Sequence, residues 1–279
     1  MNEEPSHYAL NPSSDLVKRA SKVAKAESPR KGEPKFHMTE DMRRLSTPWS
    51  ISQVRAEQIQ ATDLPAGVIL DAAAGSGVQL IALTTGLKRP GLAIELDPNI
   101  GLLCAANMHI TGEESDLQRS MDRVLVGDGT DAENAIVAYW NSLRDAGTRA
   151  HPPIGMLHLD PARPRDAQRH EIDEMQPALG PLLKAWANHL ETGPRGPAIL
   201  LDLSPRLNED QRSLVDATIE TTFPGTPRTW EYLSQGGGRI DRLSVWIGSL
   251  SSKEPSRCIR MGKKKIMASI EGKVAESEL

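Results

Sequence analysis

Strand-like and helix-like segments alternate regularly through the middle of this chain, and this alternation limits its possible folds more than any other feature. The predicted strands cover residues 68–71, 91–95, 123–127, 154–159 and 197–202, and the predicted helices cover 77–85, 98–110, 131–145 and 174–191. Such alternation implies right-handed crossovers that place helices on both faces of a parallel sheet. The pattern predicts an α/β fold.

The pattern changes after a further predicted helix at residues 208–222. Two strand-like runs, "RTWEYLS" and "DRLSVWIGSL", are joined by the glycine-rich "QGGGRI", which is typical of a hairpin rather than a crossover. We therefore expect a mostly parallel, seven-stranded sheet that ends in an antiparallel hairpin.

The ends of the chain differ in composition from its middle. Residues 1–45 are polar, contain one plausible helix around "SSDLVKRASKVAKA", and are predicted to form a small N-terminal helical arm. Residues 46–250 form the predicted main domain, which opens with a helix in "TPWSISQVRAEQIQA". Residues 251–279 form a short basic extension, whose last part, "IMASIEGKVAESEL", either adds a strand or frays.

Composition excludes several classes of protein. The chain has 279 residues, 38% of them hydrophobic, and no apolar run long enough to cross a bilayer. Its first residues are acidic and polar, without the basic start and apolar stretch of a secretory signal, so we expect a cytoplasmic protein. The two cysteines, Cys104 and Cys258, have no CxxC spacing, and no His, Asp or Glu spacing resembles a metal site. We expect neither a disulfide framework nor a bound metal.

The distribution of charge is more informative than its sum. The formal net charge is −4, whereas domains that bind nucleic acid are usually basic overall. The basic residues gather in two segments, "VKRASKVAKAESPRKGEPK" and "SRCIRMGKKK". These segments either contact a phosphate backbone or form solvated faces, and the sequence leaves both interpretations open.

The stretch "VILDAAAGSG" combines a strand end with a tight turn. Asp71 ends the strand, while Gly75 and Gly77 allow a sharp turn in which backbone N–H groups approach a ligand closely. In open α/β sheets, ligands bind beyond the carboxyl ends of the strands. Asp71 is therefore expected to point towards a ligand.

Two further carboxylates end the next two predicted strands. Glu95 is placed to accept hydrogen bonds from vicinal ribose hydroxyls, and Asp128 to accept from the exocyclic amine of adenine. Three acids at successive strand ends suit a ligand that carries an amine, a ribose and an adenine. They argue against a dinucleotide, and the G-x-G-x-x-G fingerprint has Leu80 in place of its third glycine.

These residues resemble class I S-adenosylmethionine-dependent methyltransferases over about residues 45 to 250. The resemblance implies the Rossmann-like class I methyltransferase fold with S-adenosyl-L-methionine as cofactor. It also implies that Gly75 and Gly77 line the methionine moiety, Glu95 holds the ribose and Asp128 holds the adenine. The full expected cofactor-binding set is Thr47, Asp71, Ala73, Gly75, Gly77, Glu95, Asp97, Asp128 and Gly129.

The fourth predicted strand ends in "DPAR", from Asp160 to Arg163. This element resembles the D/N-P-P-aromatic element of amino-group methyltransferases, with Ala162 in place of the second proline and Arg163 in place of the aromatic residue. An exocyclic base amine is a poor nucleophile because its lone pair is delocalised into the ring. A carboxylate at Asp160, with a backbone carbonyl made available by Pro161, would favour the pyramidal nitrogen that attacks the methyl group. An arginine at position 163 can stack on a base or bind a phosphate.

"DPAR", together with "STPWSISQVRAEQ" upstream and "RIDRLSVWIGSL" downstream, most resembles methyltransferases with a THUMP-like C-terminal appendage. Those proteins are related to trimethylguanosine synthase and the RNA guanine-N2 methyltransferases, so the resemblance implies a structured RNA as substrate. The predicted catalytic residues are Asp160, Pro161 and Arg163, with Arg165 near the substrate. His158, inside the same strand, is interpreted as a core histidine rather than a base.

Two other functions stay open at this point. A catalytically silent RNA-binding or assembly factor could keep the fold, and it would lose little when Asp160 is replaced by alanine. A methyltransferase of a small molecule or a protein would show no contribution of RNA to its activity.

Overall fold

The computed structural model describes residues 6–24, 26–27, 33–112, 119–162, 172–263 and 265–273. The strands are β1 (Tyr8–Leu10), β2 (Ala26–Glu27), β3 (His37–Met38), β4 (Val68–Asp71), β5 (Gly91–Glu95), β6 (Arg123–Val126), β7 (Ile154–Leu159), β8 (Thr192–Gly193), β9 (Gly196–Leu203), β10 (Arg228–Ser234), β11 (Arg242–Gly248), β12 (Ser256–Met261) and β13 (Ile266–Gly272). The helices are α1 (Ser14–Val23), α2 (Glu40–Leu45), α3 (Trp49–Gln60), α4 (Val78–Leu87), α5 (Pro98–Thr111), α6 (Ala132–Asp145), α7 (Leu179–Trp186) and α8 (Glu209–Thr222).

The large sheet runs in the order β1-β6-β5-β4-β7-β9-β11-β10-β12-β13, and β8 pairs with β9 to one side. Its centre, from β6 to β9, is parallel. Strand β11 lies between β9 and β10 and is antiparallel to both. The α/β class, the parallel sheet and the terminal antiparallel hairpin are therefore confirmed.

Within the described residues the sheet has eleven strands, because four further strands extend the seven predicted ones. At one edge β1 pairs antiparallel with β6. At the other edge β12 pairs parallel with β10, and β13 pairs antiparallel with β12. β1 is short, β13 is largely exposed and β12 is buried only at alternate positions, so their sequences lack the apolar run of a central strand. Both terminal segments thus contribute to the same sheet as residues 46–250, and the division of the chain into domains stays a prediction.

The order of the central strands creates a switch point beside β4. From β4 the chain extends the sheet first through β5 and β6 on one side and then through β7 and β9 on the other. The helices that follow β4 and β7 therefore leave on opposite faces, and a crevice opens at the carboxyl ends of these two strands. Asp71 and His158 are neighbours in this register.

Alternate side chains of β4 enter two apolar cores on opposite faces of the sheet. Val68 and Leu70 pack with residues of α6, α7 and α8, whereas Ile69 packs with residues of α3, α4 and α5. Since all four residues of β4 are buried, this strand is covered on both faces.

Along the described residues, no helix is long and apolar enough to cross a membrane.

One predicted helix is much shorter than expected. Only Leu179–Trp186 of the predicted 174–191 segment is α-helical. The residues before it form a short 3-10 turn and a bridge from Gln176 to Ala162, and Pro177 follows that bridge. Proline lacks an N–H and disfavours the helical conformation in the residue before it, so α7 begins after this point.

Candidate functional site

The turn after β4 depends on two glycines with left-handed backbone. Gly75 has φ +54 and Gly77 has φ +76, values that favour glycine. A Cβ on Gly77 would lie 2.6 Å from the Cys104 sulfur, whereas a Cβ on Gly75 would meet no atom within 4 Å. The absence of a side chain at Gly77 therefore allows the start of α4 to pack closely against α5, and the space beside Gly75 is open.

Hydrogen bonds tie this turn to two strand ends. The Asp71 carboxylate accepts from the Ala73 N–H at 3.2 Å, and the Glu95 carboxylate accepts from the Gly75 N–H at 2.9 Å. The second oxygen of Glu95 accepts from the Asp97 N–H at 3.0 Å. The structure thus brings together five of the predicted cofactor-binding residues at the carboxyl ends of β4 and β5.

The two carboxylates near β5 have different surroundings. Burial raises the pKa of Glu95 and outweighs the two backbone hydrogen bonds that lower it. Asp97 is more exposed and caps α5, because one of its oxygens accepts from the N–H groups of Asn99 and Ile100. Asp97 therefore has a structural task at this place whether or not a ligand binds.

Asp128 lies on the loop after β6 and is exposed. Its Oδ1 accepts from both the N–H and the hydroxyl of Thr130 at 2.8 Å, which leaves Oδ2 without a hydrogen bond from the described residues. The backbone of this loop is fixed by the buried His7, whose Nε2 donates to the Asp128 carbonyl at 3.0 Å. Asp128 therefore has one carboxylate oxygen without a hydrogen bond from the described residues, on a loop whose backbone is fixed by His7.

Gly129 and Thr47 occupy tighter positions. A Cβ on Gly129 would collide with the carbonyl of Ala72, and its own carbonyl accepts from the Trp186 indole at 2.8 Å. Thr47 is buried immediately before α3. The hydrogen bonds of the described residues do not connect Thr47 to the strand-end carboxylates.

Asp160 follows β7 and is partly exposed. Its Oδ2 accepts from the Gln79 side-chain amide at 2.8 Å, which links the end of β7 to the first turn of α4. Pro161 is buried, and Ala162 exchanges two backbone hydrogen bonds of 2.9 Å with Gln176. Arg163 and Arg165, both expected near the substrate, lie outside the described residues.

Behind these strand ends, His158 is fully buried between two carboxylates. Its Nδ1 lies 2.8 Å from Asp71 Oδ2, and its Nε2 lies 3.1 Å from Asp202 Oδ2. Burial opposes protonation, but the two carboxylates outweigh it and raise the pKa of His158 to about 10. His158 is therefore an imidazolium in the core at neutral pH, and both oxygens of Asp71 are occupied by this contact and by Ala73.

Arg55 extends the network from the other side of Asp202. This fully buried side chain of α3 donates to both Asp202 oxygens, at 2.6 and 2.5 Å, and to the Gln79 side-chain oxygen at 2.7 Å. Because a guanidinium can only donate, it fixes which end of the Gln79 amide is oxygen and turns the NH₂ group towards Asp160.

The charges in this network set two further pKa values. Burial would raise the pKa of Asp202, but Arg55 and His158 together hold it well below its ordinary range. Burial and the nearby Asp202 charge raise the pKa of Asp160 to about 6, against the opposing effect of His158 and Arg55. Asp160 is thus mostly ionised at neutral pH and becomes protonated in mild acid.

Sequence reasoning missed three members of this network, namely Arg55, Gln79 and Asp202. Two of them carried a signal. Arg55 lies four residues from both Ile51 and Ile59, on the apolar face of its helix, and Asp202 interrupts the apolar run "AILLDL". A charged side chain at a buried position needs a partner of opposite charge. A cation and an acid that both stand at apolar positions of the sequence are therefore expected to form a buried ion pair.

Comparisons with known proteins agree with this architecture. No protein-family model and no curated protein matches the chain. Among solved structures, a protein from Porphyromonas gingivalis described as a methyltransferase superposes with a TM-score of 0.57 at 17% identity, over 92% of this chain and 55% of its own. A class I S-adenosylmethionine-dependent methyltransferase from Listeria monocytogenes gives a TM-score of 0.48 at 13% identity, over 80% of this chain and 67% of its own. The superposition on the Porphyromonas protein, whose TM-score is above 0.5, shows that the chain has a Rossmann-like methyltransferase fold.

This chain spans about half the length of the Porphyromonas protein. At such identities the likeness concerns the fold alone, so the chemistry has to be argued from the side chains at the strand ends. Among the residues that the structure describes, no group of three or more His, Cys, Asp or Glu side chains could hold a metal ion.

Proposed function

We propose that this protein is an S-adenosylmethionine-dependent methyltransferase that modifies an exocyclic amine of a base in structured RNA. The observation that carries the proposal is the carboxylate of Asp160. It is partly exposed at the carboxyl end of β7. One of its oxygens accepts a hydrogen bond of 2.8 Å from the side-chain amide of Gln79, which follows the glycine turn. An acceptor beside the cofactor turn is what a reacting amine requires.

The strand ends fit S-adenosylmethionine better than a pyrophosphate cofactor. The open space beside Gly75 admits a ligand, and each oxygen of Glu95 accepts one backbone hydrogen bond from the residues that the structure describes, which leaves lone pairs for ribose hydroxyls. The free Oδ2 of Asp128 suits an adenine amine. Asp71, with both oxygens occupied, would position the turn rather than touch the ligand.

When bound, the cofactor supplies an electrophilic methyl group on a sulfonium sulfur. Asp160 Oδ1 would accept a hydrogen bond from the base amine and direct the nitrogen lone pair towards the methyl carbon. Glu95 and Asp128 would hold the cofactor, which would supply the methyl carbon to the amine nitrogen and keep the electron pair of its former S–C bond. The nitrogen then releases a proton, which Asp160 can accept because its pKa is about 6. Most of the acceleration would come from alignment.

The RNA part of the proposal is supported by the resemblance of "DPAR" to RNA guanine-N2 methyltransferases and by the basic segments near both ends. In this proposal Arg163 and Arg165 contact the substrate, the basic segments position it, residues 46–250 carry the catalysis and the reaction takes place in the cytoplasm.

The cofactor is tested first, by calorimetric titration of the purified protein with S-adenosylmethionine. We expect micromolar binding by the wild type and at least tenfold weaker binding by Glu95→Ala/Asp128→Ala, on the order of two lost hydrogen bonds. The matched control, Glu57→Ala/Asp145→Ala, removes two exposed acids that lie on α3 and at the last residue of α6, and should bind like the wild type. A folded wild-type protein that binds no cofactor would contradict the proposal.

The substrate is tested by transfer of a labelled methyl group to total RNA. We expect incorporation by the wild type and loss of about 100-fold or more with Asp160→Asn, which keeps cofactor affinity because Asp160 acts on the amine. Label that enters protein or small molecules even after nuclease treatment would favour the alternative methyltransferase. RNA binding without transfer, unaffected by Asp160→Asn, would favour a catalytically silent factor.

A further inference from the structure

Two connections at the other side of the sheet face the same way as Asp160. Strands β10 and β12 run parallel to β7, so the β10–β11 loop (residues 235–241) and the described part of the β12–β13 turn (residues 262–263 and 265) lie at the same carboxyl edge. We call these two connections the distal loops. They lie at the same edge of the sheet as Asp160.

The first distal loop exposes bare backbone. Gly236, Gly237 and Gly238 have φ +123, +73 and +69, and a Cβ on either of the last two would meet no atom within 4 Å. A Cβ on Gly236 would lie 2.6 Å from a guanidinium nitrogen of Arg260. The Arg260 guanidinium therefore lies directly against this backbone, and only glycine permits that approach.

Three cations lie in or beside the distal loops, and the described residues do not neutralise them. Arg260, Lys263 and Lys265 are exposed and form no ion pair with the residues that the structure describes. The carboxylate of Asp241 is already bound, because it accepts from Arg239 at 2.9 Å and from the Gln235 N–H at 2.6 Å. Positive charge thus remains free for an external partner.

A surface cavity of about 460 Å³ lies between the distal loops. It is lined by Gln235, Arg260, Met261, Gly262, Lys263 and Met267, and none of these residues is acidic. A guanidinium and an ammonium beside open glycine backbone make up a favourable set of donors for a phosphate oxygen.

We propose that the distal loops bind a backbone phosphate of the RNA whose base reacts at Asp160, an inference that rests on the proposed function. Strands β7 and β12 are four inter-strand steps apart, roughly 19 Å. At roughly 3.4 Å per nucleotide of a stacked strand, this distance corresponds to about five or six nucleotides. A small phosphorylated molecule is too short to occupy both places, whereas a polynucleotide can.

The test measures binding of a fluorescent single-stranded RNA of about 20 nucleotides at several salt concentrations. Arg260→Gln/Lys263→Gln should weaken binding on the order of tenfold at about 0.1 M salt, and the salt slope should fall by about 1.4, since two phosphate contacts are lost. The matched control, Arg149→Gln/Lys253→Gln, removes two exposed cations before β7 and β12, at the opposite edge of the sheet, and should behave like the wild type.

The outcomes separate this inference from the proposed function. If the two double variants weaken RNA binding equally, or neither does, the distal loops are not a phosphate site, although methyl transfer to RNA can still be observed. If RNA is bound through the distal loops but never receives a methyl group, the phosphate site is confirmed, whereas the proposed function and the link to a reacting base at Asp160 are wrong. If the wild type binds cofactor but no RNA, both the inference and the RNA substrate are wrong.

Discussion

At the scale of single residues, the charges in the candidate site depend on pKa values that cannot be read from the sequence. Three carboxylates and two cations share one buried network, and their charges shift the pKa values of His158, Asp160 and Asp202. Asp160, at the partly exposed end, has a pKa of about 6, while His158, in the core, has one of about 10. The candidate acceptor Asp160 and the buried histidine behind it therefore titrate on opposite sides of neutral pH.

Methyl transfer is expected to decline below about pH 6, because the protonated Asp160 no longer accepts from the amine. Replacing Gln79 by alanine removes a donor to the ionised carboxylate, so the pKa of Asp160 should rise and the acidic limb should move to higher pH. We also expect kcat to fall about tenfold with an unchanged cofactor Kd. The measurement is the pH profile of kcat, with the exposed Gln53→Ala as control. An unshifted limb in Gln79→Ala would mean that Gln79 does not act on Asp160.

His158 should make stability depend on alkaline pH. Its pKa is raised from 6.5 to about 10 on folding, so its contribution is complete below about pH 6.5 and disappears as pH rises to about 10. At pH 6 we expect His158→Gln to lower the free energy of unfolding by about 3–5 kcal/mol, since Asp71 and Asp202 lose their cation. The difference from the wild type should shrink by up to about 1.4 kcal/mol per pH unit above neutrality. Urea unfolding at several pH values measures this difference in the free energy of unfolding, and His109→Gln is the control. A difference that does not vary with pH would refute a charged His158.

At the scale of elements, helix α3 is fastened to the sheet by charge as well as by apolar packing. Arg55 of this helix contacts Asp202 of β9 and Gln79 of α4, so three elements meet at one guanidinium. The same helix places Ile51 and Val54 against β10, β12 and β13. A change in α3 is therefore transmitted to the strand ends that carry the candidate site.

Arg55→Met should lower the free energy of unfolding by about 3–5 kcal/mol, because the buried Asp202 carboxylate would keep only His158 as a partner. Arg55→Met/Asp202→Leu should regain part of that loss, because two apolar side chains then face each other. Chemical denaturation gives both values, and Glu57→Gln on the exposed face of α3 is the control. A double variant less stable than Arg55→Met alone would show that Asp202 depends mainly on His158.

At the scale of the whole molecule, the C-terminal strands are joined to the sheet by a second buried ion pair. Arg257 of β12 donates to the fully buried Glu231 of β10 at 2.7 Å, and its guanidinium lies 4.2 Å from the centre of the Trp246 ring. A chain that ended after residue 250 would leave the Glu231 charge without this partner. Residues 251–273 are therefore more than an appendage to the sheet.

Glu231→Gln should have opposite effects in the two chain lengths. In the full chain it should reduce the thermal midpoint, because Arg257 is left buried without an anion. In a chain that ends at residue 250 it should raise the midpoint, because it removes an unpaired buried charge. Thermal unfolding of the four proteins provides the comparison. Equal effects in both lengths would show that β12 does not neutralise Glu231.

Local pattern was sufficient for much of this structure. The strands of the central sheet follow from short apolar runs, and the glycine turn follows from "AAAGSG", because both depend on residues close together in the chain. The acids at the ends of β4, β5 and β6 could be located for the same reason. Their role towards a ligand remains a prediction.

Only the tertiary structure decided which distant groups meet. Arg55 and Asp202 are 147 residues apart, and the periodicity around each contains no information about the other. The insertion of β11 between β9 and β10, and the pairing of β1 and β12 at the sheet edges, likewise depend on contacts between segments far apart in the chain. The sequence by itself determined the elements and the acids at their ends. Folding determined the pKa values of Glu95 and Asp160, because a pKa depends on burial and on neighbours that only the folded chain brings within a few ångströms.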